Sequence, residues 1–212
     1  TNGEIYLGVV GPVRSGKSTF IKRFMDVLVL PKMTDEHAKE RTVDELPQSA
    51  SGKSIMTTEP KFVPKEAAEI QLAKDVSVRV RLIDCVGYMV DGAAGHLENG
   101  AERLVKTPWN EKEIPFTKAA EIGTKKVIHD HSTIGIVVTT DGSIGELPRE
   151  SYRAAEKKTI QELKSIGKPF VVLINTRKPY GTEAKTMAEE IRNEYQVTAL
   201  PVNCEQLREE DI

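Results

Sequence analysis

The chain has 212 residues, enough to bury a sizeable core, and its 30 basic and 32 acidic side chains leave a formal charge of −2 that offers no global field for nucleic acid. A charged share of 29% with 39% apolar residues suits a soluble globular protein. No run approaches the roughly 18 apolar residues of a membrane span, and the opening residues do not read as a signal peptide.

"EIYLGVVG", residues 4–11, is a β-rich run ending in glycine and predicts the first strand. In the next segment Phe20, Ile21, Phe24, Met25 and Leu28 fall at helical spacing, which predicts a helix stopped by Pro31. Residues 32–61 are polar, broken by Pro47, Gly52 and Pro60, and read mostly as a long loop. "VSVRVRLIDCVG" alternates from Val76 to Leu82 as a half-exposed strand does, then ends in an acid-x-x-Gly turn. Residues 88–131 form a long irregular insertion with a helix over 117–129, and "STIGIVVTTDG" is a buried strand. A charged helix over 149–166, the strand "KPFVVLIN", a helix over 183–195 and the strand "VTALPVN" complete the series. "CEQLREEDI" reads as a helix just beginning, so the sequence is expected to be a fragment of a longer protein. Apolar strands alternating with helices imply a mostly parallel sheet covered on both faces, in one α/β domain over residues 1–212.

The chemistry concentrates in "GPVRSGKS", residues 11–18, which fits Gly-x4-Gly-Lys-Ser between a strand and a helix. Backbone N–H groups from Gly11, Val13, Arg14, Ser15, Gly16, Lys17, Ser18 and Thr19 are expected to cradle phosphate oxygens, aided by the helix N-terminus. Lys17 would reach the β- and γ-phosphates, and the Ser18 hydroxyl would ligate Mg2+. Asp84, at a strand end, is the expected second metal holder, and the Gly87 N–H is placed to meet a γ-phosphate. Between them a switch needs a threonine for metal and γ-phosphate; Thr57 and Thr58 are both candidates. Tyr88 follows Gly87 where Ras-like GTPases use a glutamine to orient water, so another group must hold the water. Arg14 is either an arginine supplied in cis to the phosphates or a surface or intersubunit contact. A second "SGKS" at 51–54 lacks the first glycine and a preceding strand, and reads as loop.

"NTRK", beginning at Asn175, stands where a GTPase carries Asn/Thr-Lys-x-Asp. The aspartate of that motif accepts two donors of guanine, and Lys178 offers donors in its place. Guanine selectivity from this motif is therefore lost. Three further features read as structural. His129, Asp130 and His131 point apart along a helix end, and Trp109 anchors the insertion. Cys85 packs, and with Cys204 it lacks disulfide or metal spacing, which points to a reducing cytoplasm. Asp141 either stands near the edge of the nucleotide site or serves only the turn at Asp141-Gly142; the residues allow both.

The segments "YLGVVGPVRSGKSTFIKRFM", "DELPQSASGKSIMTTEPKFVP", "RLIDCVGY", "TPWNEKEIPFTKAAEIGTKKVI", "HSTIGIVVTTDGSIGELPR" and "GKPFVVLIN" resemble the amino-terminal ATPase domain of the stage IV sporulation protein A family. The resemblance covers nearly the whole chain. It implies a three-layer P-loop NTPase with the GTPase-like (TRAFAC) topology and a long insertion after the second switch, using ATP with Mg2+. By position it assigns the Walker A lysine to Lys17, the paired switch threonines to Thr57 and Thr58, and the Walker B acid to Asp84. It further implies self-assembly into the base layer of the spore coat, in the mother-cell cytoplasm at the outer forespore membrane. Contacts with other coat proteins and with a small membrane-bound amphipathic protein are implied through regions mostly absent from this sequence. Two other functions fit the residues: a regulatory GTPase with a different guanine reader, and a structural protein that binds nucleotide without required turnover.

Overall fold

The structure, a computed structural model, describes residues 3–47, 58–98 and 100–211. Its frame is a six-stranded sheet made of β1 (Glu4–Val10), β2 (Lys61–Ala73), β3 (Val76–Asp84), β8 (Ile134–Thr140), β9 (Phe170–Asn175) and β10 (Ala199–Val202). Four smaller strands, β4 (Leu97–Glu98), β5 (Ala101–Glu102), β6 (Leu104–Thr107) and β7 (Asn110–Pro115), form two hairpin ladders in the segment after β3. The large sheet runs β10-β9-β8-β1-β3-β2. β1 is parallel to both β3 and β8, and β9 and β10 continue that direction. Only β2 is antiparallel, on the outer side of β3.

Successive strand residues point to opposite faces, and both faces are apolar. Val10, Ile83, Val137 and Ile174 pack with Ile160 and Leu163 of α4 (Arg149–Ser165) and Ile191 of α5 (Thr182–Tyr195), with Val127 and Ile128, just after α3 (Phe116–Lys126), beside them. Their neighbours Val9, Leu82, Val138 and Leu173 face the other way, onto Phe20, Ile21 and Phe24 of α1 (Lys17–Phe24). This is the three-layer α/β arrangement implied by the alternation of apolar strands and helices.

Several boundaries differ from the sequence reading. Pro31 does not stop the first helix. α1 passes into a π-helical turn at Met25–Val29, and Pro31 then sits early in a tight 3-10 turn at Leu30–Lys32, where its missing N–H costs nothing. The expected loop over 32–61 contains α2 (Glu36–Glu45), whose cap is the Asp35 side chain accepting from Ala38 N at 3.1 Å. α2 buries only Thr42. A fully buried Leu or Ile contributes about 1.5–3 kcal/mol, so this helix gains little from apolar burial. It is tied to β2 by Glu45 Oε2, which accepts from Lys65 N at 2.7 Å. α3 begins one residue before the expected helix and continues as a turn at Val127–His131. The expected terminal helix is instead two 3-10 turns, Cys204–Gln206 and Glu209–Asp211.

Candidate functional site

The C-terminal ends of β1, β3, β8, β9 and β10 converge, and ligands of open α/β sheets bind at that end. β1 leads into the P-loop. Gly16 caps α1 with a φ of 99°, in the left-handed region, and a Cβ there would lie 2.2 Å from Asn175 Nδ2. Val13 and Ser15 are buried, while Ser18 and Thr19 open the first turn of α1. The Lys17 ammonium is buried and donates to Pro12 O at 2.6 Å. Burial pushes its pKa down, against the pull of Cys85 and Asp84.

Ser18 Oγ donates to Asp84 Oδ2 at 2.7 Å. The structure thus brings together the hydroxyl and the carboxylate expected to share a metal. Burial raises the Asp84 pKa, opposed by the Ser18 hydrogen bond and the Lys17 charge. Its second oxygen, Oδ1, is buried without a hydrogen-bond partner. An orphaned carboxylate oxygen beside a hydroxyl is an oxygen-donor set that fits Mg2+. Gly87, with a φ of 95°, packs directly on the loop: a Cβ would fall 2.1 Å from Gly11 O and 2.7 Å from Lys17 Nζ.

The next residue ties the turn after β3 to the P-loop. Tyr88 N donates to Gly11 O at 3.2 Å, and Val13 N donates to Tyr88 O at 2.8 Å. The Tyr88 side chain is buried beneath Lys158 of α4, whose Nζ is 4.5 Å from the ring centre. Arg14 has a φ of 59° and donates from its guanidinium to Ala94 O at 3.2 Å, linking the P-loop to the segment after β3. Thr58 is buried, and its carbonyl packs against Gly123 of α3, where a Cβ would meet it at 2.6 Å. Two residues beyond Glu59, Lys61 stands opposite Asp84 in the β2–β3 register, so this segment enters the sheet beside the acid. Thr57 and the second "SGKS" lie outside the described residues.

On the other flank, Asn175 is buried and holds two loops at once. Its Nδ2 donates to Ser15 O at 3.1 Å, and its Oδ1 accepts from Cys204 N at 3.0 Å. Lys178 is exposed, and its backbone N–H bonds Thr176 Oγ1 at 3.2 Å. The sequence marks Asp141 near this turn but not the partners behind it. Thr176 bonds Asp141, and Glu156, buried on α4, receives two hydrogen bonds from Arg149 and one from Thr139. The usable signal was positional: each lies at or just after the end of a parallel strand, or on the helix that follows.

The remaining features have structural partners. His129 meets Glu162 at 2.6 Å, Asp130 meets Lys126, and His131 abuts the Phe62 ring. Among the described residues no cluster of His, Cys, Asp and Glu could hold a metal by itself. Trp109 lies under Lys126 of α3, at 5.4 Å. Cys85 donates to Val9 O, and burial pushes its thiol up to about 11, which leaves it protonated and unreactive near neutrality.

The profile of the family described as stage IV sporulation protein A, ATPase domain, matches residues 1–212. Proteins named stage IV sporulation protein A from Clostridioides difficile (strain 630), Bacillus subtilis (strain 168) and Bacillus anthracis are 56%, 52% and 51% identical to the whole chain. The chain spans 43% of the length of each of these curated relatives. A crystal structure of the bacterial selenocysteine-specific elongation factor EF-Sec overlaps 94% of this chain and 25% of its own, with a TM-score of 0.48 and 15% identity.

Proposed function

The chain belongs to the family of stage IV sporulation protein A ATPase domains, and from that premise we propose that it binds and hydrolyses ATP with Mg2+, as the engine of self-assembly in a longer coat protein. The observation that carries this reading is the Ser18–Asp84 pair at 2.7 Å, with the orphaned Asp84 Oδ1 beside it and Lys17 on the same loop. Ser18 and Asp84 would hold Mg2+, which would neutralise charge on the β- and γ-phosphates. The Lys17 ammonium, parked on the Pro12 carbonyl, exchanges that partner for phosphate oxygen. The backbone N–H groups of residues 13–19 wrap the phosphates, and Gly87 with Thr57 and Thr58 senses the γ-phosphate. These groups act by positioning and by stabilising charge, the two resources of phosphoryl transfer. P-loop GTPases lacking an arginine in trans turn over at about 10^-4 to 10^-2 per second, and the same order is expected here.

Loss of the γ-phosphate would release the turn at Gly87 and Tyr88 and the segment at Thr58. Because that segment packs on α3 and Tyr88 on α4, the insertion would shift and expose an assembly surface. In the full-length protein that surface would build the coat's base layer on the forespore, with other coat proteins and the membrane-bound amphipathic protein as partners. Phosphate release from ATP and GTP, each with Mg2+ and with chelator, tests the chemistry. We expect ATP turnover that chelator abolishes; a tenfold preference for GTP would overturn the reading.

A further inference from the structure

An acid does stand against the "NTRK" turn, on the loop that follows another strand. Asp141 follows β8, and its Oδ1 accepts from Ser143 N at 2.9 Å and from Ser143 Oγ at 2.6 Å. Its Oδ2 accepts from Thr176 Oγ1 at 2.6 Å. Ser143 Oγ accepts from Arg177 N at 3.0 Å, so the turn after β8 is stapled to the turn after β9. Burial raises the Asp141 pKa, but the hydrogen bonds from Ser143 and Thr176 outweigh it and hold the net value below the ordinary 3.8. The group is thus a fixed, ionised acceptor at neutral pH.

Its place relative to the phosphates follows from the fold. Ser18, Asp84 and Gly87 mark the metal and γ-phosphate end, on the β3 side of β1. Asn175 ties the other flank of the P-loop to β9 through Ser15 O. The loop after Asp141 also reaches the P-loop, since Ile144 Cδ1 lies 3.7 Å from where a Gly16 Cβ would stand. A base extending from the phosphates away from β3 therefore arrives over the β8 and β9 turns.

A carboxylate has about four lone-pair positions. Ser143 fills two and Thr176 a third. We propose that Asp141 is the base-discriminating residue of this site, its one remaining Oδ2 position accepting a hydrogen of the adenine 6-amino group. The assignment rests on the ATP reading above. Guanine presents two adjacent donors, N1–H and the 2-amino group, and requires an acceptor on each carboxylate oxygen; Oδ1 has none to give. The guanine 6-oxygen would also set an acceptor against the carboxylate.

Competition binding on this chain with ATP, GTP and purine riboside triphosphate, which carries hydrogen at position 6, tests the assignment. One hydrogen bond to a charged group contributes about 1.5–3 kcal/mol, so the wild type should prefer ATP over the purine analogue by about tenfold or more. Asp141→Asn should bring those two ligands to near-equal affinity. Ser143→Ala removes the Oγ donor, frees a position on Oδ1 and should raise GTP affinity relative to ATP by about fivefold or more, which decides the matter even if Asp141→Asn folds poorly. A wild type that prefers GTP sinks the ATP reading itself. A wild type that prefers ATP, with both variants keeping its ligand ratios, sinks only the role of Asp141.

Discussion

At the proposed phosphate end a single stretch, Gly11 to Ser18, supplies most of the residues, with Asp84 and Gly87 joining from the end of β3. At the proposed base end Asp141, Ser143, Asn175, Thr176 and Cys204 come from the ends of three strands, each set by a side-chain hydrogen bond to another turn. Wrapping phosphate is work for consecutive backbone N–H groups, so it must be encoded contiguously. Choosing a base is work for isolated acceptors and donors, which any nearby strand end can deliver. The two ends also stand differently toward stability. Desolvation of Lys17 acts against folding at the first, whereas Asn175 and the Arg149–Glu156 pair satisfy buried polar groups at the second.

The largest effect expected from that contrast is on the base side. Arg149→Ala leaves Glu156, whose side chain is 3% exposed, without its guanidinium partner. Breaking a buried pair costs about 3–5 kcal/mol, so the urea midpoint should fall by that equivalent. An unchanged midpoint would erase the distinction between the ends. Lys17→Ala is the converse case. Phosphate release should drop about 100- to 1000-fold, the size of losing one transition-state donor, while thermal unfolding moves little or upward.

Asn175→Ala should affect both ends. Ser15 O and Cys204 N each lose a buried partner, at about 1–3 kcal/mol per group, and nucleotide binding should weaken through the displaced P-loop. Unfolding and binding measured on one sample would show whether the two losses travel together. The smallest effect is on pH dependence. With its folded pKa depressed, Asp141 contributes its full stability above the ordinary 3.8 and loses it as pH falls through the lower folded value. Asp141→Asn should therefore flatten the acid limb of the stability curve and leave the slope near neutrality unchanged.

The same division governs what the sequence discloses. The P-loop, the strand before it and the acid at Asp84 are readable because their geometry is local and their spacing fixed. α2 is hidden because a helix that buries only Thr42 has no apolar stripe, leaving its Asp35 cap as the one local sign. β2, in a stretch to which the sequence reading gives no element, is hidden because Pro64 and the charges at Lys65, Glu66 and Glu69, the marks of an edge strand, mask its alternation. The "NTRK" turn disclosed a missing acid at Lys178, but only the sheet places Asp141 against Thr176.

Strand order has a consequence of a different kind. β1 lies between β3 and β8, with β9 beyond β8, so Ser15, Asp84 and Asn175 meet only after all three strands have closed on it. A nucleotide held by all three segments recognises the native chain and ignores the unfolded one. At a free concentration 100 times its dissociation constant such a ligand adds about 2.7 kcal/mol to the native state, comparable to what an Arg149 substitution removes. The surrounding nucleotide concentration would then govern how long each molecule survives proteases, quite apart from how often it turns over.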